Sequence, residues 1–367
     1  MKRQLLGVAA ILLSISTYAQ DNPLWMRYCA ISPDGTTIAF TYKGDIYTVP
    51  STGGRASQIT TNPAHDTKPI WSPDGKKIAF ASDRMGSMDI FEVNKEGGIP
   101  KRLTTHSGNE TPVAYKDAGH ILFLANIMPT AEDAQFPSGQ FQQVYEVNTE
   151  GGRPILFSSM PMEDISINHT GNTLLYHDKK GYEDPWRKHH TSSITRDIWL
   201  CSLNGNRTFR KQTAFNGEDR TPVWASDDKS FYYLSEEKGS FNIFKRDIDG
   251  NTSKQITNHT KHPVRFLSAA SNGTLCYGYD GEIYTVKEGA IPQKVQISIV
   301  TDKNDKDLIR QIKRSGATEI SLSPDAKEIA FVLRGDVYVT STEYSTTKQI
   351  TNTPQQERDI HFSPDGR

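Results

Sequence analysis

A unit of about 40 residues repeats along this chain, and it restricts the possible folds more than any other feature. Ser-Pro-Asp-Gly or a close variant opens four copies of the unit. Pro33 and Pro73 are 40 residues apart, and so are Pro324 and Pro364. An alternation of apolar residues follows each complete turn, as in Lys77-Ile78-Ala79-Phe80. Such self-similarity at a fixed period indicates a repeat architecture.

Two further elements complete the unit. A polar, a β-branched and an aromatic residue recur together seven times, at 45–47, 89–91, 143–145, 197–199, 242–244, 282–284 and 336–338. A closing Gln-Ile-Thr or similar triplet occurs at 58–60, 102–104, 255–257 and 349–351. Short period-two segments separated by Gly, Asp and Asn turns are typical of strands joined in hairpins. Four such strands in about 40 residues predict one blade of a β-propeller.

The local chemistry of the first turn accounts for its residues. Proline fixes φ, aspartate accepts hydrogen bonds from the nearby backbone, and glycine tolerates a positive φ. We therefore interpret the four turn aspartates as architectural, and not as a catalytic or metal-binding set. These aspartates are Asp34, Asp74, Asp325 and Asp365.

The spacing of the units predicts an all-β chain of four-stranded antiparallel blades. We assign residues 22–297 to a six-bladed ring and the polar segment 298–316 to a linker. Residues 317–367 then form the first blade and the start of the next blade of a second, truncated propeller. A single seven-bladed ring with a decorated connection at 298–316 is the alternative interpretation.

The N-terminus has the organisation of a signal peptide. Lys2 and Arg3 precede an apolar run over 5–15, and Ala19 is the small residue that signal peptidase requires. The run is shorter than the ~20 apolar residues that span a bilayer. We therefore expect residues 1–19 to be removed and the protein to be periplasmic or secreted, without a membrane span.

Composition restricts partners and redox chemistry. The 42 basic and 43 acidic residues give a net charge of -1, which offers no excess of cations for a nucleic-acid backbone. Export would permit disulfides. However, Cys29, Cys201 and Cys276 are odd in number and far apart in the sequence, so we expect no disulfide framework.

Motifs for catalysis are absent from the sequence. It contains no Gly-x-Ser nucleophile elbow, no Gly-x-Gly nucleotide loop and no His-Glu-x-x-His or zinc-finger spacing. We therefore predict no catalytic residue, no metal site and no cofactor in this chain.

Two units carry insertions between their second and third strands, at 126–141 and 177–196. Both insertions should lie on the face that also carries the blade-to-blade connections, where binding tends to reside. The second insertion contains an aromatic anchor and a cationic cluster, formed by Trp186, Arg187, Lys188 and His189. We predict that this cluster contacts a peptide or a partner, with Arg187 and Lys188 facing a carboxylate. A solvated loop or an inter-domain contact is the alternative.

With a signal peptide, six such blades, a linker and a second ring, the chain resembles the N-terminal half of tricorn-type peptidases. The resemblance covers residues 22–367 and is strengthened by the stretches 182–187, 197–199 and 281–284. The Ser-Pro-Asp-Gly repeat by itself is shared with the Tol-system propeller and with prolyl-oligopeptidase-like enzymes.

The resemblance implies a six-bladed and then a seven-bladed propeller that filter and channel peptides or unfolded polypeptide. It also implies downstream helical, PDZ-like and serine-peptidase domains in the same protein, and homo-oligomeric assembly. The family's catalytic serine and histidine would lie beyond Arg367, so no residue here inherits a catalytic role. The family's arginine pair after the second blade has no counterpart at 106–112. An exported scaffold similar to the Tol-system propeller, binding a protein partner without enzymatic activity, is the second hypothesis.

Overall fold

The computed structural model of the protein describes residues 23–127, 141–181, 194–300 and 313–366. These residues divide into two compact units, and the first unit ends at Val300. All regular secondary structure in the described ranges is β-strand. These ranges therefore contain no helix that is long and apolar enough to cross a membrane. The predicted signal peptide and residues 301–312 of the predicted linker lie outside the described residues.

The described part of the first unit contains six four-stranded antiparallel sheets. The first sheet consists of β1 (Arg27–Ile31), β2 (Thr37–Tyr42), β3 (Asp45–Pro50) and β5 (Ser57–Gln58). The second consists of β6 (Asp66–Trp71), β7 (Lys77–Ser82), β8 (Asp89–Asn94) and β9 (Lys101–Arg102). The third consists of β10 (Thr111–Asp117), β11 (His120–Ala125), β12 (Gln143–Asn148) and β13 (Ile155–Ser158).

The remaining three sheets repeat this order. The fourth consists of β14 (Met162–Ile167), β15 (Thr173–Asp178), β16 (Ile198–Ser202) and β17 (Thr208–Lys211). The fifth consists of β18 (Asp219–Trp224), β19 (Ser230–Ser235), β20 (Asn242–Asp247) and β21 (Ser253–Gln255). The sixth consists of β22 (Arg265–Ala269), β23 (Leu275–Tyr279), β24 (Glu282–Val286) and β25 (Gln293–Lys294). Two short strands, β4 (Gly54–Arg55) and β26 (Ile297–Ser298), pair in parallel.

The sheets of the first unit close into a ring. The first strand of each sheet contacts the first strands of both neighbouring sheets, and the sixth sheet contacts the first in the same way. The inner wall of the ring is therefore made of β1, β6, β10, β14, β18 and β22. This arrangement confirms the predicted all-β propeller fold.

The apolar core lies between neighbouring sheets. Each of the six junctions in the described part of the ring has its own cluster of buried residues. Because a blade has a neighbour on either side, a second strand is buried on both faces, as Ile78, Ala79 and Phe80 of β7 show. The core therefore depends on contacts between neighbouring sheets of the first unit.

The opening turns have the architectural role that their sequence predicts. The Ser32 hydroxyl donates to Asp34 Oδ1 at 2.5 Å, and the same oxygen accepts the Thr36 N–H at 3.0 Å. Gly35 has a φ of 77°. The serine-to-aspartate bond recurs in three other turns, at Asp74, Asp325 and Asp365.

The closing triplet also has a structural role. Its threonine hydroxyl accepts the N–H of the apolar residue in the third strand, as Thr60 does from Ile46 at 2.9 Å. Thr104, Thr213 and Thr257 repeat this bond in the second, fourth and fifth sheets. In the sixth sheet Gln296 takes this position, and the chain continues into β26 to pair with β4.

The second unit contains one four-stranded sheet in its described part. Its strands are β27 (Ala317–Leu322), β28 (Glu328–Leu333), β29 (Asp336–Ser341) and β30 (Thr347–Gln349). Leu322 precedes the turn serine as Ile31 does in the first sheet, yet Leu322 is 56% exposed and Ile31 only 4%. The difference shows that a blade buries its faces through its neighbours.

Candidate functional site: the channel ring

A left-handed residue interrupts five of the six inner strands. It lies at a β-bulge in each of them, with φ between 48° and 57°. We call these residues the channel ring: Tyr28, Lys68, Asp164, Thr221 and Phe266. A non-glycine residue in this conformation costs about 1–3 kcal/mol and persists only where its surroundings fix it. In the third sheet, Pro112 lies at the register shift of the inner strand, and its ring fixes φ at about −65°.

One side of the channel ring is aromatic and cationic. The rings of Tyr28 and Phe266 lie 4.8 Å apart between centroids, with their planes at 54°. The Lys68 ammonium lies 5.8 Å from the centroid of the Tyr28 ring. Sheets six, one and two thus bring two aromatic rings and the Lys68 ammonium together on the inner wall.

The other side of the channel ring is polar and acidic. The Thr221 hydroxyl donates to Asp164 Oδ2 at 2.6 Å, joining sheets four and five. Burial raises the pKa of Tyr28, the charge of Arg27 lowers it, and the charge of Asp164 raises it.

A buried histidine holds the acidic side in place. His177, at the end of β15, is 4% exposed. Its Nδ1 accepts the Thr221 N–H at 3.2 Å, and its Nε2 lies 3.2 Å from Glu163 Oε2. Since a backbone N–H can only donate, Nε2 holds the proton that is shared with Glu163. This bridge fixes the backbone of Thr221 in its left-handed conformation.

Several charged residues surround this bridge. Burial alone would raise the pKa of Glu163, but its hydrogen bonds with His177 and Lys179 and the charge of Lys179 lower it well below its usual value. Next to it, Arg196 pairs with Glu218 at 2.9 Å. Burial lowers the pKa of Arg220 to about 10, and its guanidinium lies 4.1 Å from the centroid of the Phe241 ring.

This arrangement is not a nucleophile with its base. The Thr221 hydroxyl donates to Asp164 and not to His177, whose Nδ1 is occupied by the Thr221 backbone. A nucleophilic mechanism needs the hydroxyl and the base within hydrogen-bond distance of each other. In the ranges that the structure describes, no group of three or more His, Cys, Asp or Glu side chains could hold a metal ion.

The predicted contact residues Trp186, Arg187, Lys188 and His189 lie outside the described residues. The base of their insertion is described. Lys180 Nζ lies 2.5 Å from Asp197 Oδ2 and 2.7 Å from the Thr195 carbonyl, which joins the two flanks of the insertion. The predicted start of the insertion at His177 is wrong, because β15 extends through Asp178.

None of the residues predicted from the sequence as contact residues belongs to the channel ring. A usable signal exists, because Tyr28 and Lys68 each precede the proline of the following turn by five residues. The other three members hold the same place relative to their turns, but no turn proline marks them.

Comparison with known proteins places these features in context. A family model described as the tricorn protease N-terminal β-propeller domain matches residues 23–290. A tricorn protease homolog of Streptomyces coelicolor is 24% identical over 339 residues, which cover 90% of this chain and 30% of the homolog. A tricorn protease homolog of Saccharolobus solfataricus is 27% identical over 295 residues, which cover 77% of this chain and 26% of the homolog.

Among solved structures, the crystal structure of the tricorn protease superposes with a TM-score of 0.65 at 19% identity. The match covers 91% of this chain and 32% of that chain. At this identity the similarity supports the fold. The chain spans between 26% and 32% of the length of these three relatives.

Proposed function

The chain belongs to the family of the tricorn protease N-terminal β-propeller domain, and on that premise we propose that it recognises peptides for a secreted tricorn-like serine peptidase. Hydrolysis would be carried by PDZ-like and peptidase domains that follow in the full protein. Residues 22–297 would form the six-bladed ring, 298–316 the linker and 317–367 the start of a second propeller. A signal peptide over 1–19 would export the protein.

The channel ring is the observation that carries this proposal. Its aromatic pair offers a surface for side chains of many kinds, and Lys68 and Asp164 offer one charge of each sign. A polypeptide in extended conformation carries alternating apolar and polar groups, so it can use both sides of such a ring. Bulky aromatic side chains often supply most of the binding energy in such contacts.

Peptide binding to the 367-residue chain tests the proposal. We expect an unstructured, fluorescently labelled peptide to bind, with an affinity about tenfold weaker after the combined Tyr28→Ala and Phe266→Ala change. Tyr344→Ala is the matched control, because Tyr344 is a 70% exposed aromatic residue of the second unit. Fluorescence anisotropy would provide the dissociation constants. An unchanged affinity in the double variant would refute the role of the ring.

A hydrolysis assay tests the division of labour. We expect the 367-residue chain to leave peptides intact, and the full protein to cleave them in a reaction that a serine-directed inhibitor stops. Cleavage by the 367-residue chain alone would contradict the proposal. Tight binding of a folded partner without any affinity for peptides would instead support the exported scaffold.

Export and the insertion have their own tests. N-terminal sequencing of protein recovered from the periplasm or the medium should begin at Gln20.

In the full protein, Arg187→Ala combined with Lys188→Ala should raise KM for peptides with a free C-terminus and leave amidated peptides unaffected. Equal effects on both peptides would refute a carboxylate contact.

A further inference from the structure

The first and last sheets of the ring bring two cysteines together that are 247 positions apart in the sequence. Cys29 lies in β1 and Cys276 in β23, and both belong to the cluster that fills the closing junction. The Cys29 thiol faces the sixth sheet, where it donates to the Phe266 carbonyl at 3.4 Å. All three cysteines are free thiols in the structure, and the sequence separation of Cys29 and Cys276 does not keep them out of the same cluster.

Ser268 fixes the position of both cysteines. Its backbone is in register with Cys276 across the β22–β23 pair. Its hydroxyl oxygen lies 3.5 Å from the Cys29 carbonyl oxygen and 3.4 Å from that of Cys276. The same oxygen accepts the Ile31 N–H at 3.0 Å. The carbonyl groups of the two cysteines thus lie around one hydroxyl, so their backbones face each other across the same junction, and a disulfide requires two backbones that are close together.

From this geometry we propose that Cys29 and Cys276 form a disulfide that closes the ring covalently. Two thiols become one sulfur–sulfur bond and release two protons and two electrons. The acceptor is the disulfide of a thiol–disulfide oxidoreductase of the oxidising compartment, which is reduced to a dithiol through a mixed disulfide. The proposal rests on the proposed export and is independent of peptide binding.

Burial sets the time at which the bond forms. Cys29 is 4% exposed and Cys276 is fully buried in the closed ring. Burial also raises the pKa of the Cys276 thiol, which suppresses the thiolate that reacts. Oxidation therefore takes place while the sixth sheet docks onto the first, and the closed ring then shields the bond from reductants.

Cys201 provides an internal control. It is fully buried in β16, within the cluster between the third and fourth sheets, and so belongs to a different junction. The proposal therefore expects one free thiol in the exported protein. The Cys201→Ser variant should have none and keep the bond, whereas Cys276→Ser should have two.

The test is thiol counting on the 367-residue chain, recovered from the periplasm and alkylated at once in denaturant. We expect one alkylated cysteine, and a mass spectrum containing peptides with Cys29 and Cys276 joined. Refolding from denaturant in a glutathione redox buffer should give the same product without any export. Three free thiols in this refolded sample, or a bond that includes Cys201, would overturn the proposal. Failed oxidation only in cells would instead count against export.

Thermal unfolding gives a second measurement. Reductant present during refolding should lower Tm by on the order of 5 °C in the wild type and leave Cys276→Ala unchanged. An equal response in both proteins would contradict a bond between these cysteines.

Discussion

The closing junction, between the sixth and first sheets, and the junction between the first and second sheets both hold neighbouring sheets together, but they do so through different contacts. At the internal junction, Trp71 Nε1 donates to the Ala30 carbonyl at 2.8 Å. Ile31 holds the position in β1 that Trp71 holds in β6. At the closing junction, the backbone N–H of Ile31 donates to the Ser268 hydroxyl. The closing junction also has the parallel pair of β4 and β26, with Gly54 N–H donating to Gln296 at 2.8 Å.

The difference follows from chain connectivity. Consecutive sheets are held close by a short connection. The sixth and first sheets, in contrast, are separated by almost the whole chain of the first unit, and their contact closes that chain into a ring. Closing a long loop costs conformational entropy that local contacts must offset. Backbone hydrogen bonds offset this cost at the closing junction, and that junction should therefore be the most sensitive to small changes in backbone position.

The largest expected effect is at Gly53. A Cβ there would lie 2.6 Å from the Gln296 carbonyl oxygen, at a φ of 91°, so Gly53→Ala must separate β4 from β26. We expect a loss of about 4 kcal/mol in the free energy of unfolding. Urea unfolding followed by tryptophan fluorescence measures it, since every tryptophan of the chain belongs to the first unit. Reductant should be present throughout, so that a Cys29–Cys276 bond cannot conceal the loss.

Gly97 provides the matched control. It has a φ of 95°, and a Cβ there would lie 3.5 Å from the Ile59 carbonyl oxygen, an ordinary contact. Gly97→Ala should therefore show only the cost of its φ, about 1.5 kcal/mol. Equal losses at the two glycines would mean that the parallel strand pair contributes nothing to closure.

The second prediction concerns pH. Met26 directly precedes β1 at the closing junction, and its N–H donates to the Gly281 carbonyl. Glu110 directly precedes β10 at an internal junction, and its N–H donates to the Met88 carbonyl in the same way. Burial raises the pKa of Glu110 to about 7, from 4.5. Between these values the folded state keeps a proton that the unfolded chain releases. The free energy of unfolding should therefore fall by about 2 kcal/mol as pH rises from 4.5 to 7, and then level off.

Glu110→Gln should remove this part of the pH dependence. Asp219→Asn should remove a second part, because burial raises the pKa of Asp219 to about 7. Asp34→Asn is the control, since a hydrogen bond from Ser32 lowers the pKa of Asp34 and places its titration below this window. If the free energy of unfolding still falls with pH in this window after both changes, the pH dependence does not come from these two carboxyl groups at the internal junctions.

Ser268→Ala tests the hydroxyl at the closing junction. It leaves the N–H of buried Ile31 without its acceptor, which should cost about 1.5 kcal/mol. Ser166 holds the same place in the fourth sheet, but its hydroxyl lies 3.4 Å from the Trp224 nitrogen, so Ser166→Ala should cost about 0.5 kcal/mol. Urea unfolding of both variants measures the pair. The reverse order would show that closure does not depend on Ser268.

The strands and turns could be predicted from sequence because their causes are local. Turn chemistry places Asp34, and period-two patterning places β7 between its turns. Only Tyr28 and Lys68 of the channel ring are marked by a turn proline, and nothing in Thr221 or Phe266 favours a left-handed backbone. Their conformation is fixed by neighbours from other sheets, such as His177 for Thr221. The proximity of Cys29 and Cys276 likewise follows from ring closure, which no local pattern encodes.

A smaller effect than that of Ser268→Ala is expected from the indole hydrogen bonds at the internal junctions. Trp71→Phe keeps an aromatic ring and removes the N–H that the Ala30 carbonyl accepts, so it should cost about 1 kcal/mol. Trp224→Phe removes the corresponding bond to the Ser166 carbonyl, 3.0 Å long, and should cost the same. Urea unfolding followed by the fluorescence of the remaining tryptophans measures both. If the two junctions are built alike, the losses will agree within about 0.5 kcal/mol. A larger loss than that of Ser268→Ala at either site would mean that an internal junction, and not the closing one, limits the stability of the ring.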